Sequence, residues 1–351
     1  VKQSKYYLTG YDSFGFVLFE CLVFLADGGT VLLTRPTDVP AAHYTSTIRD
    51  VRVWRDGRAR HPALVLKDLL RELGLSGKRV GVEFDTWGLT GANALALREA
   101  LCGFCETQDS SNLVTEIRLI KSDEELVYVR RAGELADRAL LRARELAGPG
   151  VFEGEILAAM QSEVLRAGGD YSGNEFTIGS GEGALLPRYH SGRRRLDDED
   201  QLVVQIGGVY RRYHASLMST ILIGGVKPQQ QRMYGAMSEA LNKAHDLMRP
   251  GIPLCEVYAA YRDCAARRDL EPHMLSACGY SLGAAYHPTW MDWPWVHPDC
   301  GVELAPNMVF YLHMVLSDQE RGLAMSLADT VVVRDGACER LSKLPLELVV
   351  K

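Results

Sequence analysis

The chain has 351 residues, enough for two domains of ordinary size or one large α/β domain. Hydrophobic residues make up 47% and charged residues 24%, an ordinary globular composition that excludes long disorder and collagen-like structure. With 39 basic and 45 acidic residues the net charge is −6, so nothing pulls the chain generally toward nucleic acid or an anionic membrane, and no apolar run reaches the roughly 18 residues needed to span a bilayer.

The first elements are strand-like runs at Phe16–Phe19, Leu22–Ala26 and Thr30–Thr34 around Asp27-Gly28-Gly29, a hairpin signature. Residues 62–74 and 90–102 read as helices, with Arg79–Phe84 between them as a short buried strand, so a small α/β unit is expected. Asp109-Ser110-Ser111-Asn112 is loop chemistry, and a domain boundary falls near 110–121. Ser122 opens a long helix, with Glu125 completing a capping box. Leu126, Val129, Gly133, Ala136, Leu140, Ala143 and Ala147 recur at helical spacing as one buried stripe, and Gly148-Pro149-Gly150 stops the helix. A second helix follows at 153–168. Strands are expected near 172–178, 201–210 and 213–223, helices at 229–248 and 253–269, and strands near 308–316 and 329–334. Antiparallel strands with flanking helices give an α+β domain.

Eight cysteines are sparse for a disulfide framework. Cys102 and Cys105 form a lone CxxC with no second pair at zinc spacing and no strand before it. Buried free thiols in a reducing cytoplasm are the expectation, and no secretory signal is visible. Arg193-Arg194-Arg195 is followed by Asp197, Asp198, Glu199 and Asp200 and reads as a solvated loop; Glu239 reads as a solvated residue of an amphipathic helix.

Several segments then come together: Tyr7-Leu8-Thr9-Gly10-Tyr11, Ile117-Arg118-Leu119-Ile120-Lys121-Ser122, Arg249-Pro250-Gly251, Gly279-Tyr280-Ser281-Leu282-Gly283, Leu304-Ala305-Pro306-Asn307-Met308 and Asp329-Thr330-Val331-Val332-Val333. In this order they resemble the creatinase/Xaa-Pro aminopeptidase superfamily. Thr9-Gly10-Tyr11-Asp12, Arg211-Arg212-Tyr213-His214, Tyr286-His287-Pro288 and the tail Leu344–Lys351 are most similar to its ectoine hydrolase branch. The resemblance implies an α+β, pita-bread C-terminal domain over 116–351, preceded by a smaller creatinase-like α/β domain over 1–115. It also implies that relatives begin further upstream, so that a first strand and helix of the N-terminal domain would precede Val1.

Metal-dependent members of the superfamily hold two divalent ions with two Asp, one His and two Glu. Such cations need anionic oxygen, and the ions activate a bridging water. Carried over residue by residue, the Asp positions are Gln205 and Ser216, the His position is Tyr280, and the Glu positions are His313 and Ala328, the last beside Asp329. No carboxylate stands at any of them, and a single His cannot hold a dimetal pair. The expectation is a metal-independent site with no cofactor. By the same resemblance Gln205 and Ala328 replace Glu residues of the ectoine hydrolase branch, Ser219 replaces an Arg, and Asp292 stands where that branch has Glu.

The resemblance makes His190, which matches a His preceding the first metal strand, His214, Tyr280 and His313 catalytic candidates. An imidazole titrating near neutrality suits proton transfer, and a phenol in a Gly-bounded segment can donate to a developing oxyanion. The plain readings stand beside these: a loop role for His190, a structural hydrogen bond for His214, and a satisfied core residue for His313. Substrate-binding candidates are Gln205, Ser216, Tyr213, His287, Trp290, Asp292, Phe14 and Phe16. Trp290, Trp293 and Trp295 make either a pocket wall or cation–π cage, or ordinary packing. Phe14 and Phe16 are either core residues or part of an N-terminal loop that, in creatinase-like homodimers, reaches the partner's pocket.

The expected function is hydrolysis of a C–N bond in a small nitrogenous compound, similar to ectoine hydrolase or creatinase, by a cytoplasmic homodimer without nucleic-acid or membrane partners. An Xaa-Pro dipeptidase or aminopeptidase with bound metal is one alternative. A non-catalytic small-molecule-binding homologue is another, favoured by Gln205 and Ala328.

Overall fold

The computed structural model describes residues 2–57, 60–188 and 192–351. The chain divides into two compact units, Val1–Arg118 and Leu119–Lys351.

The first unit opens with α1 (Lys2–Thr9), followed by β1 (Cys21–Phe24), β2 (Thr30–Thr34), α2 (Val39–Thr45) and β3 (Asp50–Val53). β1 and β2 form the expected hairpin, and β3 lies parallel to β2. Residues two apart on a strand share a face, so β2 serves two cores. Val31 and Leu33 meet the leucine stripes of α3 (Pro62–Glu72) and α4 (Gly91–Leu101), while Leu32 packs with Tyr11, Ala42 and Ile48. Phe16–Phe19 is not a strand: Gly15–Val17 is a turn of 3₁₀ helix. Among the described residues β4 (Arg79–Val82) pairs with β5 (Glu106–Asp109) alone, and it is half exposed rather than buried. The boundary between the units falls in the last turn of α5 (Leu113–Leu119).

The second unit starts with α6 (Asp123–Leu146), whose Ser122–Glu125 capping box is formed and whose expected stripe is buried. α7 (Glu153–Arg166), β6 (Thr177–Ser180), β7 (Asp200–Tyr210), β8 (Tyr213–Ile223), α8 (Pro228–Leu247) and α9 (Leu254–Ala266) follow. The chain closes with β9 (Gly279–Ser281), β10 (Asp292–Trp295), β11 (Val309–Asp318), β12 (Leu323–Val332), β13 (Glu339–Arg340) and β14 (Val349–Val350). Among the described residues a nine-stranded sheet runs β10-β9-β11-β12-β8-β7-β6, with β13 beside β12 and β14 parallel to β8. β6 begins at Thr177 rather than 172, because Gly173 and Asn174 are drawn out of line to bond His214 and Trp290. β12 begins at Leu323, earlier than expected, because Asp318 closes the turn by accepting from Arg321 N at 3.1 Å.

The strands alternate cleanly. Leu202, Val204, Ile206, Leu217 and Ile221 meet α6 and α7, and Phe310, Leu312, Met314, Leu327 and Val331 meet α8 and α9. That is the outer face of the sheet. Gly207 and Gly208 show how tightly both faces are used. A Cβ at Gly208 would overlap the Ala132 carbonyl of α6, and one at Gly207 would lie 2.6 Å from the indole of Trp290 on the opposite, inner face.

Two surface expectations change. The cysteines are free, but only Cys264, Cys278 and Cys300 are buried, and Cys102 is exposed. Arg194 is not a loosely solvated residue: its guanidinium is held by Asp197, Asp200 and Ser180. Glu239 does lie at the surface, in ion pairs with Lys243, Arg267 and Arg268. No helix among the described residues is long and apolar enough to cross a membrane.

Candidate functional site

Directly paired residues of antiparallel strands project to the same side of a sheet. The register aligns Thr177, Gln205, Met218, Ala328 and His313 across five strands. The adjacent inner-face row contains Gly207, Ser216, Thr330, Tyr311 and Tyr280. All five positions singled out by resemblance, Gln205, Ser216, Tyr280, His313 and Ala328, therefore lie on the one face that α6 to α9 leave uncovered. Asp329 does not. It pairs with Leu312 on the helix side, where Arg340 Nε donates to its Oδ2 at 2.5 Å. Burial pushes the Asp329 carboxyl up to about 6 although Arg340 opposes the shift.

Gln205 Nε2 donates to the Tyr311 hydroxyl at 3.1 Å, while Thr177 Oγ1 reaches Gln205 Oε1 at 3.4 Å. Ser216 Oγ donates to the Ile206 carbonyl at 2.8 Å, so Ser216 is fixed and fully buried. The rings of Tyr280, Tyr311 and His313 form a triangle with centroids 5.4 to 5.6 Å apart. Trp295 lies 5.2 Å from Tyr280. Trp290 Nε1 donates to the Tyr280 hydroxyl at 2.9 Å, which leaves the phenol's own proton free to point elsewhere. Burial raises both phenols well above their ordinary range, so both stay protonated at physiological pH. Burial pushes His313 down to about 4, so its imidazole is neutral and able to accept a proton. His313 is half-buried, in the otherwise buried stretch Val309–Leu316 of β11.

His214 shares this face by register but is a brace. Its Nδ1 donates to the Arg212 carbonyl at 2.8 Å and its Nε2 accepts from Gly173 N at 2.9 Å. Both nitrogens are engaged, the side chain is inaccessible, and burial pushes its pKa down to about 4. Tyr213, one residue away, points to the outer face, donates to Glu125 Oε1 at 2.7 Å and stands apart from the inner-face cluster. His287 is exposed on a loop and stands outside the cluster. Asp292 pairs with Ser281, and by register shares that side of the sheet rather than the side of Tyr280. Trp290 is a fully buried wall, whereas Trp293 is 39% exposed. Phe14, in the first unit, is 76% exposed and is not a core residue. Phe16 lies in the 3₁₀ turn with its side chain outside the described set, and His190 lies outside the described residues.

Tyr311, Thr330 and Gly207 escaped sequence reasoning. The signal was present: Tyr311 stands two residues from His313 on a strand, and Gly207-Gly208 marks a place where both faces are approached closely.

The donor set does not fit two divalent ions. The five positions offer an amide, an alcohol, a phenol, one imidazole and a methyl group, with no anionic oxygen. Among the described residues, no group of three or more His, Cys, Asp or Glu is arranged to hold a metal. A cleft of about 380 Å³ opens elsewhere, at the ends of β7 and β8, lined by Glu182, Arg194, Asp200 and Gln201. The Asp200 carboxylate there is used by Gly181 N, Gln201 N and Arg194.

Comparison with known proteins places this geometry. An uncharacterized hydrolase/peptidase, y4tM, of Sinorhizobium fredii is 29% identical over 98% of this chain and 90% of its own length. The ectoine hydrolase of Halomonas elongata is 24% identical, again over 98% of this chain and 90% of its own. The Xaa-Pro dipeptidase from Bacillus anthracis superposes with a TM-score of 0.86 at 20% identity, covering 100% of this chain and 93% of that one. That likeness shows a shared two-domain pita-bread fold. Residues 2–120 match the creatinase/prolidase N-terminal domain. Because residues 127–335, more than half of the sequence, match metallopeptidase family M24 itself, the chain belongs to that family.

Proposed function

We propose that the inner face hydrolyses a C–N bond in a small nitrogenous compound, without a resident metal pair. One observation carries the reading: the face that gathers the five positions presents neutral hydrogen-bonding groups around a neutral imidazole, His313. The likeness to an ectoine hydrolase along nearly the whole chain supports the reaction class.

In this scheme His313 takes a proton from water as the water oxygen bonds to the carbon of the C–N bond. Tyr280, with its oxygen held by Trp290 Nε1, donates a hydrogen bond to the charge developing on the substrate. The imidazolium then returns the proton to the departing nitrogen, and the C–N bond breaks. One water is consumed and no redox change occurs. A proton acceptor with so low a pKa is a weak base, and the low-polarity ring cluster strengthens the hydrogen bonds that compensate.

The reading includes a homodimer in which exposed Phe14 belongs to a loop that reaches the partner's site, and a cytoplasmic location in keeping with free cysteines. The test is turnover of ectoine, creatine and Xaa-Pro dipeptides by chelator-treated full-length protein. Product from ectoine or creatine that His313→Gln abolishes is expected. Dipeptide cleavage that appears only with added divalent ions favours the peptidase alternative. Binding without product favours a non-catalytic homologue.

A further inference from the structure

Four segments of the second unit converge on the cleft of about 380 Å³, a volume in the range of small-molecule sites. They are the 3₁₀ turn Gly181–Leu185, the loop from Arg194 to Asp200, the β8–α8 connection and the β11–β12 turn. Asp200 begins β7 five residues before Gln205, about 17 Å along an extended strand, so the cleft stands apart from the inner-face cluster.

The walls of the cleft are held by the chain itself. Gln201 Nε2 donates to Gly181 O at 3.0 Å and to Gly322 O at 2.7 Å, while Gln201 Oε1 accepts from Ala324 N at 3.0 Å. One side chain thus ties the 3₁₀ turn to the β11–β12 turn. A Cβ at Gly224 would collide with the Asp198 carbonyl, so the loop also rests on the β8–α8 connection. Arg194 and Asp200 are engaged with each other and with this frame.

Other lining groups are not engaged. Among the described residues the exposed side chains of Glu182, Glu199 and Lys227 enter no ion pair. Gln230 also lines the cleft, yet it is only 3% exposed. Its Oε1 accepts from Lys227 N at 2.9 Å, and among the described residues its Nε2 has no acceptor. A buried amide with idle donors points to an acceptor that a ligand would bring. Val226, 38% exposed, and Leu323 add apolar wall.

The charges select the occupant. Two carboxylates call for two cationic groups, and an ammonium beside an amide donor calls for one carboxylate. Among the described residues no three acidic, histidine or cysteine groups are arranged to hold a metal, which favours organic cations over a divalent ion. A simple diamine would set its charge against Lys227, and a neutral amino acid would leave one carboxylate unmatched. We propose that the cleft binds a free basic α-amino acid. Its carboxylate meets Lys227 and Gln230 Nε2, its two cationic groups meet Glu182 and Glu199, and its aliphatic stem lies against Val226 and Leu323. This site is separate from the inner face and does not depend on the reaction proposed there.

The test is calorimetric titration of the full chain with L-lysine and L-arginine, beside two probes that each lack one charge. L-Norleucine lacks the side-chain cation, and cadaverine lacks the carboxylate. At least one basic amino acid is expected to bind with a dissociation constant below about 1 mM, and each probe about tenfold more weakly, the loss of one charge-assisted hydrogen bond. Lys227→Met should weaken the amino acid by a similar factor without weakening cadaverine, and the double variant E182Q/E199Q should abolish binding. Gln230→Leu should act like Lys227→Met where thermal melting shows it folded; the exposed Lys227 and glutamates carry the test if it is not. His313→Gln, on the inner face, should leave the affinity unchanged. No binding of either amino acid up to about 10 mM, no preference over both probes, affinity that survives in Lys227→Met and E182Q/E199Q, or affinity lost in His313→Gln would overturn the proposal.

Discussion

His214→Ala separates a brace from a catalyst. In the folded chain the His214 imidazole satisfies the Arg212 carbonyl and the Gly173 N–H, both in the buried segment beside Trp290. Removing the ring strands these two backbone groups at about 1–3 kcal/mol each, so a loss of roughly 3–5 kcal/mol in the second unit is expected at pH 7.5. The loss must also depend on pH in one direction. The folded pKa is about 4 and the ordinary value is 6.5, so between these values the unfolded chain binds the extra proton. The contribution is complete above pH 6.5 and is lost as pH falls toward 4. By pH 4.5 a shift of this size costs the wild type on the order of 2–3 kcal/mol that the alanine variant no longer pays. Urea unfolding followed by tryptophan fluorescence at pH 7.5 and 4.5 should therefore show the gap between the two proteins narrowing in acid. A gap that is constant with pH, or a variant with wild-type stability and no turnover, would refute the reasoning and return His214 to the catalytic group.

Gly208→Ala should unfold or severely destabilise the second unit, since the new methyl meets the α6 backbone and not a movable side chain; thermal melting reads it. Gly207→Ala presses instead on the Trp290 ring, so a shifted tryptophan emission and weakened activity in a folded protein are expected. Asp329→Ala should destabilise the second unit only modestly, because Arg340 is a third exposed and also donates to the Leu344 carbonyl, and should leave substrate affinity unchanged, because Asp329 faces the helices. A changed affinity in a protein of unchanged stability would place that carboxylate in the site after all. The acid limb of the rate profile should fall near pH 4, where His313 takes up its proton, and a limb centred at 6.5 would point to another base.

Much of the second unit is legible because its local and global signals agree. α6 carries its cap, its stripe and its stop in consecutive sequence, and the alternation of β7 and β8 is written by their outer-face aliphatics. What escaped was decided by register and neighbours. Tyr213 and His214 are adjacent in an extended strand, so they cannot share a face, and the same parity separates Ala328 from Asp329. Residues 172–176 have strand-like composition but are held away by His214 and Trp290, side chains distant in sequence. Arg79–Phe84 has the aliphatic content of a core strand, yet its exposure depends on what pairs beside it. The five positions singled out by resemblance are visible as residue types. That they gather on one face, with Tyr311 and a wall of Trp290, needed the sheet.

Whether this face works without cations decides between a metal-free hydrolase and a metallopeptidase. Elemental analysis of purified, active protein, paired with turnover before and after exhaustive chelation, addresses that directly. Substoichiometric metal and unchanged turnover are the predicted result; two divalent ions per chain, with activity lost on chelation and regained on their return, would contradict it.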